Sequence, residues 1–413
     1  MKRIAITGFD AITPAGISHE EIWNNVVRGK NFIKKINRFE PRDYSSQVGG
    51  EINTFQPKDF ISRRLIKKTD RFTHLALATS QLAIDHANLN LQDMDCNRIG
   101  IMVGNAFGGW EFAEKELRNY WGNDNKVSPY QATAWFQTAA QGQITIQQGI
   151  KGRSRTLIAD RASGAIALLE AIQTIQRDKA DVVLAGGSEA PFSPFGWLCC
   201  ETSGYLADTT REEHPENIYR PFDYEHKGSV FGEGSSFIIL EDWEHAVNRG
   251  AKIYGELSGW SITNDAYYPY NTVRPDAELL KESILKSLNK AKLEPGEIDY
   301  ISAHGSALPS EDATEVLAYK KIFTRDLPNI PISIPKSMFG DLVGAAAPLD
   351  VMLTAKAMEA SVIPPTINHN KAATGFDEIS INTEPTEKEI KNALIVSRGM
   401  GVNLSFILTK SKA

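Results

Sequence analysis

The sequence predicts an α/β protein with largely buried sheets, built from two similar units that pack as one body. Short apolar segments alternate with longer amphipathic ones, which is typical of strands alternating with helices. A glycine turn that leads into an apolar strand occurs near the end of each half, and no low-complexity linker separates the halves. With 413 residues, of which 42% are hydrophobic, the chain is long enough to bury a core without disulfides or a structural metal.

The predicted strands are short apolar runs, beginning with one at the N-terminus over residues 4–8 (IAITG). Further strands are predicted at residues 98–103, 181–185, 298–303, 393–397 and 404–408. Between them lie helical patterns. In residues 163–177 the apolar side chains Ile166, Leu169, Ile172 and Ile175 recur at three-residue steps, which predicts a helix with one buried face.

An internal similarity predicts that the two units are duplicates. Residues 232–240 (GEGSSFIIL) resemble residues 399–408 (GMGVNLSFIL), each a glycine turn followed by an apolar strand. We therefore divide the chain into an N-terminal half, residues 1–250, and a C-terminal half, residues 251–413. Two unrelated strands are the alternative interpretation.

Composition narrows the class of protein. The chain has 45 basic and 51 acidic residues and a net charge of −6, which argues against a nucleic-acid or membrane-surface binder. No apolar run reaches the length of a membrane span, and the N-terminal apolar run is too short for a signal peptide. The three cysteines, Cys96, Cys199 and Cys200, form no CxxC pair. We expect a cytoplasmic protein with no metal and no organic cofactor.

Four stretches carry the chemistry. Residues 159–164 (ADRASG) precede a clear helix, and residues 304–307 (HGSA) end a predicted strand. Residues 335–344 (PKSMFGDLVG) and 398–401 (RGMG) follow later in the chain, while RPFD and FGEG, at 220–223 and 231–234, lie between the first two stretches. Each motif alone is a weak indicator of function, but the order of the motifs along the chain is specific.

In this order the motifs resemble those of the β-ketoacyl synthases of fatty-acid and type II polyketide synthases, over nearly the whole chain. The resemblance implies a thiolase-like fold with two duplicated α/β halves in a layered αβαβα arrangement. It also implies a nucleophilic cysteine at a helix N-terminus and two later histidines that assist decarboxylation of malonyl carrier protein. Such a position suits a thiolate, because the helix N-terminus is electrically positive.

The sequence departs from the family at the catalytic positions. Arg161 stands at the cysteine position, and a guanidinium is always charged and not a nucleophile. His304 keeps the first histidine, whereas Asp341 replaces the second; Lys336 and Glu315 are retained. We therefore expect a vestigial site with no catalytic residue, at which this chain cannot hold an acyl thioester.

The replacements predict a compensating ion pair. An arginine at a helix N-terminus is unfavourable by about 0.3–1 kcal/mol, so a nearby carboxylate is expected. We predict a salt bridge between Arg161 and Asp341, with His304 or Asp160 as further contacts. Ser163 is interpreted as a residue that caps or packs the first turn of the following helix rather than as a substitute nucleophile. We interpret the cysteine pair 199–200 as buried packing residues.

Other segments resemble the chain-length factor, which pairs with a cysteine-bearing ketosynthase in type II polyketide synthases. These segments are residues 105–112 (NAFGGWEF), 134–136 (AWF) and 142–146 (GQITI). In that branch glutamine usually replaces the cysteine, so Arg161 is a further departure. Trp110, Ala113 and Leu117 match positions that close the far end of the partner's tunnel, and their spacing puts them on one helix face. An ordinary core stripe is the alternative.

The resemblance implies two partners, a ketosynthase alpha subunit and an acyl carrier protein. Aromatic residues concentrated between positions 110 and 136 fit a heterodimer interface. A basic cluster, Arg63, Arg64, Lys67, Lys68 and Arg71, is a candidate contact for the acidic carrier protein, with a solvated helix face as the alternative. The carrier's phosphopantetheine arm would be a substrate handle. Met400 matches the phenylalanine that gates the acyl entrance.

The leading interpretation is a non-catalytic, chain-length-determining subunit. Inactive alone, it would join a ketosynthase heterodimer, an acyltransferase that elongates a carrier-bound poly-β-keto chain from malonyl units toward aromatic polyketides. One alternative is a malonyl-carrier-protein decarboxylase that acts through His304 and Lys336, together with Arg161. Another is a chain-length factor from a polyene-type ketosynthase pair.

Overall fold

The computed structural model describes residues 2–122, 125–267 and 272–411. The strands are, in chain order, β1 (Ile4–Ile12), β2 (Lys34–Lys35), β3 (Val48–Gly49), β4 (Ile99–Gly104), β5 (Ser154–Leu157), β6 (Val182–Glu189), β7 (Gly234–Asp242), β8 (Gly255–Asn264), β9 (Tyr300–Ser302), β10 (Pro331–Ser333), β11 (Val362–Ile363), β12 (Ser380–Ile381), β13 (Thr386–Glu387), β14 (Asn392–Gly399) and β15 (Val402–Thr409). The helices are α1 (His19–Val27), α2 (Arg63–Ile66), α3 (Arg71–His86), α4 (Trp110–Gly122), α5 (Gln131–Trp135), α6 (Ala139–Gln148), α7 (Ser163–Gln176), α8 (Pro194–Thr202), α9 (Trp243–Asn248), α10 (Glu278–Ala291), α11 (Pro309–Phe323) and α12 (Ala346–Ala360).

Within the described residues, eleven strands form one mixed sheet in the order β12-β10-β9-β14-β15-β8-β1-β7-β6-β4-β5. At one end β5, β4 and β6 run parallel to one another. β7 follows, antiparallel to β6, and then β1, antiparallel to β7. Toward the other end β10, β9 and β14 run parallel to one another. β15 follows, antiparallel to β14, and then β8, antiparallel to β15. The two runs of five therefore repeat one pattern, and they meet where β1 pairs with β8.

This repetition explains the similarity within the sequence. The two similar segments are β7 and β15 with their preceding turns, which hold equivalent places in the two runs. The predicted thiolase-like fold with duplicated halves is confirmed. The proposed boundary at residue 250 falls between α9 and β8.

Side chains of the central strands alternate between two cores, as expected of sheets covered on both faces. In β6, Val183 and Ala185 face a core shared with α7 and α12, while Val182 and Leu184 face a core shared with α3 and α6. In the other run, Ile395 faces the shared central core, and its neighbours in β14 face the helices α10 and α11. The layers are therefore helices, sheet, central helices, sheet and helices.

The predicted strands and the helix at 163–177 are present, with small differences at their ends. The strand expected over 298–303 is β9, which covers only Tyr300–Ser302. It is shorter because a capped 3₁₀ turn, Pro295–Glu297, precedes it, and because the backbone amides of His304 and Gly305 bind Glu315 instead of a neighbouring strand. Among the described residues, no helix is both long enough and apolar enough to cross a membrane.

Candidate functional site

The chemical motifs of the sequence meet between the two runs of strands. Arg161 lies in a 3₁₀ turn, Asp160–Ala162, that leads directly into α7. His304 follows β9, and Lys336 lies in the turn that follows β10. A Cβ atom at Gly164 would lie 2.3 Å from the carbonyl oxygen of Gly344, so glycine is required where the start of α7 approaches the 335–344 motif.

A buried ion pair occupies the position at which the family resemblance places the cysteine. Arg161 is 1% exposed, and its Nη1 and Nη2 atoms donate to Oε2 and Oε1 of Glu311 at 2.9 and 2.6 Å. Burial opposes ionisation of both groups. The attraction between them nevertheless keeps the pKa of Glu311 well below, and that of Arg161 well above, the ordinary value. Two parallel contacts of this kind form a strong, geometrically specific pair.

The predicted salt bridge between Arg161 and Asp341 is wrong. Oδ1 of Asp341 accepts a hydrogen bond from the backbone amide of Val343 at 2.7 Å, and Oδ2 lies 3.9 Å from Nζ of Lys336. Glu311, not Asp341, is the carboxylate that pairs with Arg161. Helix α11 begins beside the turn that carries Arg161, and its first-turn carboxylate accepts from the guanidinium. The signal that could have identified it is an acidic residue seven positions after His304.

The secondary contacts predicted for Arg161 are confirmed. Its Nη1 lies 3.3 Å from Nε2 of His304, and its Nε lies 3.5 Å from Oδ2 of Asp160. The guanidinium carbon also lies 4.3 Å from the centre of the Tyr205 ring, in a cation–π contact. Burial, together with the nearby positive charges of Lys336 and Arg161, lowers the pKa of His304 to about 4, although the contact with Glu311 acts to raise it. At neutral pH the imidazole is therefore uncharged and can accept a hydrogen bond from Arg161.

Glu315 holds the His304 loop in place. Its carboxylate accepts hydrogen bonds from the backbone amides of His304 and Gly305, at 2.8 and 3.0 Å, and from the hydroxyl of Tyr319 at 2.6 Å. Burial raises the pKa of Glu315 despite these donors. Its contacts indicate a positioning role.

Lys336 lies between two buried carboxylates. Its Nζ is 3.3 Å from Asp350 and 3.9 Å from Asp341. Burial opposes the charge on Lys336, but these two carboxylates raise its pKa above the ordinary value. Burial raises the pKa of Asp350 to about 6. Oδ2 of Asp341 is buried and has no hydrogen-bond partner among the described residues.

The fourth motif braces the cluster. Nη1 of Arg398 donates to the carbonyl oxygen of Glu311 at 3.1 Å and to the hydroxyl of Thr314 at 2.8 Å, which ties α11 to β14. Met400, at the predicted gate position, is exposed in the turn between β14 and β15 and has a φ of 49°. The sequence singled out this motif but not its contact with α11.

The other candidate nucleophiles, Ser163, Cys199 and Cys200, lie in different surroundings. The Oγ atom of Ser163 donates to the carbonyl of Asp160 at 2.6 Å and accepts from the amide of Ala159 at 2.9 Å, so it stabilises the turn before α7 rather than capping the helix. Cys200 is buried in α8, and burial raises the pKa of its thiol. Cys199 is only half-buried, so the interpretation as a buried residue is wrong there, because α8 turns this side chain toward the surface.

The candidate tunnel residues lie on α4, which precedes Arg161 in the sequence. The ring of Trp110 is half-buried and packs 5.5 Å from that of Phe195 in α8. Ala113 is buried, whereas Leu117 is 44% exposed. The exposure of Leu117 is unlike that of an ordinary core stripe. Asp70 fixes the start of the helix, because its Oδ2 accepts from the amide of Phe112 at 2.7 Å.

The basic cluster is divided between two environments. Arg63, Arg64 and Lys67 are exposed in and beside α2, and Nζ of Lys68 lies 4.6 Å from the centre of the Tyr130 ring. Arg71 instead begins α3 and pairs with the buried carboxylate of Glu233 at 2.7 Å. Within the described ranges there is no group of three histidine, cysteine or acidic side chains that could hold a metal ion.

Comparison with solved structures places this architecture among ketosynthases. The structure titled "The ishigamide ketosynthase/chain length factor" matches with a TM-score of 0.90 and 26% identity, over 99% of both chains. A type II PKS acyl-carrier protein in complex with its ketosynthase bound to the hexaketide gives a TM-score of 0.88 and 27% identity, over 99% of this chain and 100% of that chain.

Sequence comparisons agree. The chain is 34% identical over 368 residues to a 3-oxoacyl-(acyl-carrier-protein) synthase 2 of Synechocystis sp., covering 89% of this chain and 88% of that protein. It is 32% identical over 400 residues to the tetracenomycin polyketide synthase ketoacyl synthase beta subunit of Streptomyces glaucescens, covering 96% of both. The family models "Beta-ketoacyl synthase, N-terminal domain" and "Beta-ketoacyl synthase, C-terminal domain" match residues 1–246 and 254–370. The chain therefore belongs to the β-ketoacyl synthase family.

Proposed function

We propose that this chain is a non-catalytic, chain-length-determining subunit that pairs with a cysteine-bearing ketosynthase. The single observation that carries the proposal is the buried Arg161–Glu311 ion pair at the family's cysteine position. The pair supplies no nucleophile, and its charges fill the space in which an acyl cysteine would react.

The surroundings of the pair support this role. Asp341 stands at the position of the family's second histidine, and a carboxylate cannot donate a hydrogen bond as a neutral imidazole can. His304 remains, but its Nε2 faces the guanidinium of Arg161 at 3.3 Å. Condensation needs a nucleophile, and the arginine at position 161 does not provide one.

An exposed apolar surface supports pairing with another subunit. Helix α4 contacts both α5 and α8, and large apolar side chains in and beside these three helices are exposed to solvent. This aromatic surface consists of Leu117, Trp121, Trp135, Phe136, Phe195 and Leu198. Trp121 is 78% exposed, an unusual condition for the largest apolar side chain. Aromatic residues are enriched in the buried centres of subunit interfaces.

In the proposed complex, Trp110, Ala113 and Leu117 form the wall that ends the partner's tunnel, and Met400 lies at the former entrance gate. Arg63, Arg64, Lys67 and Lys68 contact the acidic acyl carrier protein, whose phosphopantetheine arm delivers malonyl units to the partner. The similarity to a protein named as a ketoacyl synthase beta subunit supports this assignment. We propose a poly-β-keto chain, as in aromatic polyketide synthesis, as the product.

The test is reconstitution with a cysteine-bearing ketosynthase, carrier protein and malonyl donor. We expect a one-to-one complex that elongates chains only when both subunits are present, with acyl adducts on the partner alone. A covalent acyl adduct on the isolated chain would refute the proposal. Release of CO₂ from malonyl carrier protein by the isolated chain, lost in His304→Ala, would instead support a decarboxylase. A reduced polyene product would support the polyene-type alternative.

A further inference from the structure

We propose that two buried acidic side chains, Asp70 and Glu189, are positioning residues that hold the start of α4 and thereby fix where the proposed tunnel wall stands. Neither residue belongs to that wall. Both act through the backbone of residues 105–112, which leads into the helix. The proposal deepens the proposed function and rests on it for the role of α4 in setting chain length.

Asp70 caps two helices with one carboxyl group. Its Oδ1 accepts from the amide of Phe72 at 3.1 Å, as the N-cap of α3. Its Oδ2 accepts from the amide of Phe112, the third residue of α4, at 2.7 Å. Because the first amides of a helix have no partner within the helix, the second contact gives α4 a cap from a distant part of the chain. Asp70 is 2% exposed, so water competes little for these contacts.

Gly109 allows this close approach. It stands just before α4, where the side chain of a serine, threonine, asparagine or aspartate commonly caps a helix. A Cβ atom at Gly109 would clash with the carbonyl oxygen of Ala134 and would lie 2.9 Å from Cβ of Asp70. Glycine has no side chain with which to cap α4, and Asp70 supplies the cap in its place.

Glu189 holds the segment that precedes the helix. It lies at the end of β6 and is fully buried. Its carboxyl group accepts from the backbone amides of Ala106 and Phe107, the latter at 3.3 Å, and from the side-chain amide of Asn105 at 3.1 Å. Oδ1 of Asn105 in turn accepts from the amide of Gly108 at 2.8 Å. Residues 105–108 are therefore tied to the end of a central strand.

The position of Trp110 depends on this backbone. Trp110 begins α4 and Ala113 directly follows Phe112, so the contact with Asp70 lies between two residues of the proposed wall. The indole Nε1 of Trp110 is buried and has no hydrogen-bond partner in the described part of the chain. Hydrogen bonding of the ring itself therefore does not fix Trp110, and a shift of the helix start would move it.

A serine at position 70 separates the two caps. Serine is a good N-cap residue, so Asp70→Ser should keep the cap of α3, but its hydroxyl ends one bond short of Phe112. We measure hydrogen–deuterium exchange on the isolated full-length chain by mass spectrometry. The amides at the start of α4 should exchange roughly tenfold faster in Asp70→Ser than in wild type, because a buried hydrogen bond is lost. Unchanged exchange there would overturn the proposal.

Asp242→Ser is the matched control. Asp242 is also a poorly exposed N-cap aspartate, and it accepts from the first-turn amides of α9. The same substitution at this position should leave exchange at the start of α4 as in wild type. Faster exchange of α4 in both variants would show a general loss of stability, and would overturn the specific role of Asp70.

Glu189→Gln is an independent variant, which keeps the proposal testable if Asp70→Ser fails to fold. Glutamine retains one acceptor oxygen and replaces the other with an amide group that cannot accept. One of the contacts that hold residues 105–108 is therefore lost, and these amides should exchange faster than in wild type. Wild-type exchange in this segment would contradict the role assigned to Glu189.

The reconstituted synthase distinguishes this proposal from the proposed function. Asp70→Ser should broaden the product distribution toward longer chains and leave the KM for acyl carrier protein unchanged, whereas general destabilisation would lower all products together. A wild-type distribution in Asp70→Ser, when Trp110→Ala does change chain length, would overturn the positioning role. If neither variant changes chain length in a complex that assembles, the chain-length function itself is refuted, and exchange on the isolated chain still decides whether Asp70 holds α4.

Discussion

Arg161 and Glu311 form a buried ion pair across 150 positions of the chain, with two nitrogen–oxygen distances below 3 Å. The pair connects the turn before α7 with the first turn of α11, and therefore joins the two halves of the fold. Each charge is compensated mainly by the other. Neither residue can therefore change alone without leaving an uncompensated charge in the interior.

The first prediction concerns the stability of this pair. Arg161→Met or Glu311→Gln alone should lower the free energy of unfolding by about 3–5 kcal/mol, because each leaves a buried charge without its partner. The double variant should lose much less than the sum of the two. Chemical denaturation of the four proteins measures this coupling.

Asp341→Asn provides the matched control for that cycle. Asp341 is as deeply buried as Arg161 but contacts Val343 and Lys336. The loss of unfolding free energy caused by Asp341→Asn should therefore add to that caused by Arg161→Met. Additive losses for Arg161 and Glu311, with coupling between Arg161 and Asp341, would contradict the observed pairing.

A pH-dependent stability is predicted from His304. The folded protein keeps the imidazole neutral down to about pH 4, whereas the ordinary pKa is 6.5. Between these values the unfolded chain binds more protons, so the free energy of unfolding should rise with pH from 4 to 6.5. The full rise in the free energy of unfolding across this pH range is roughly 3 kcal/mol. His304→Asn should flatten this rise in denaturation curves at several pH values.

The exposed His214 offers the comparison for this measurement. His214→Asn removes a histidine whose side chain is 70% exposed, so the comparison separates the effect of the buried imidazole from that of losing any histidine. If His304→Asn retained the wild-type slope, the buried imidazole would not be the source of the pH dependence.

Much of the architecture was predictable because its strands are apolar runs buried on both faces. β6 and β14 illustrate this, since nearly every residue in them is buried. β5 was not predicted. Its sequence, Ser-Arg-Thr-Leu, belongs to an edge strand that is only half covered, so it lacks the apolar signal.

Arg161 was also singled out from the sequence, at the position that the family resemblance assigns to the cysteine, whereas its partner was not. Motif position made Asp341 the obvious choice. Glu311 lies in the first turn of a helix, where acidic residues are common because they complement the helix dipole. Nothing local distinguishes a carboxylate in that general role from one that reaches a distant guanidinium.

Trp110→Ala should lengthen the products of the reconstituted synthase, because it removes the largest side chain from the proposed tunnel wall. Trp110→Phe keeps most of the ring contact with Phe195 and should preserve the wild-type distribution. Chromatography of the products with mass detection gives the chain lengths. An unchanged distribution for Trp110→Ala, in a complex that still assembles, would argue against a tunnel wall at this position.

The proposed contact with the acyl carrier protein should respond to charge. Replacing Arg63, Arg64 and Lys67 with glutamate should raise the KM for acyl carrier protein, and the effect should weaken with added salt because exposed charges are screened. Lys179→Glu reverses an exposed lysine on a different element and should leave the KM unchanged. Equal effects at both sites would point to net charge rather than docking.

Restoring the thiol alone should not restore a reactive site. In Arg161→Cys the carboxylate of Glu311 stays buried without its cation, and a negative charge beside a cysteine raises the thiol pKa and disfavours the thiolate. Adding Glu311→Ala and Asp341→His removes that carboxylate and supplies the second imidazole. We expect alkylation by iodoacetamide, followed by mass spectrometry, to be slow in the single variant and faster in the triple one. Equal rates would show that the carboxylate at position 311 does not control the site.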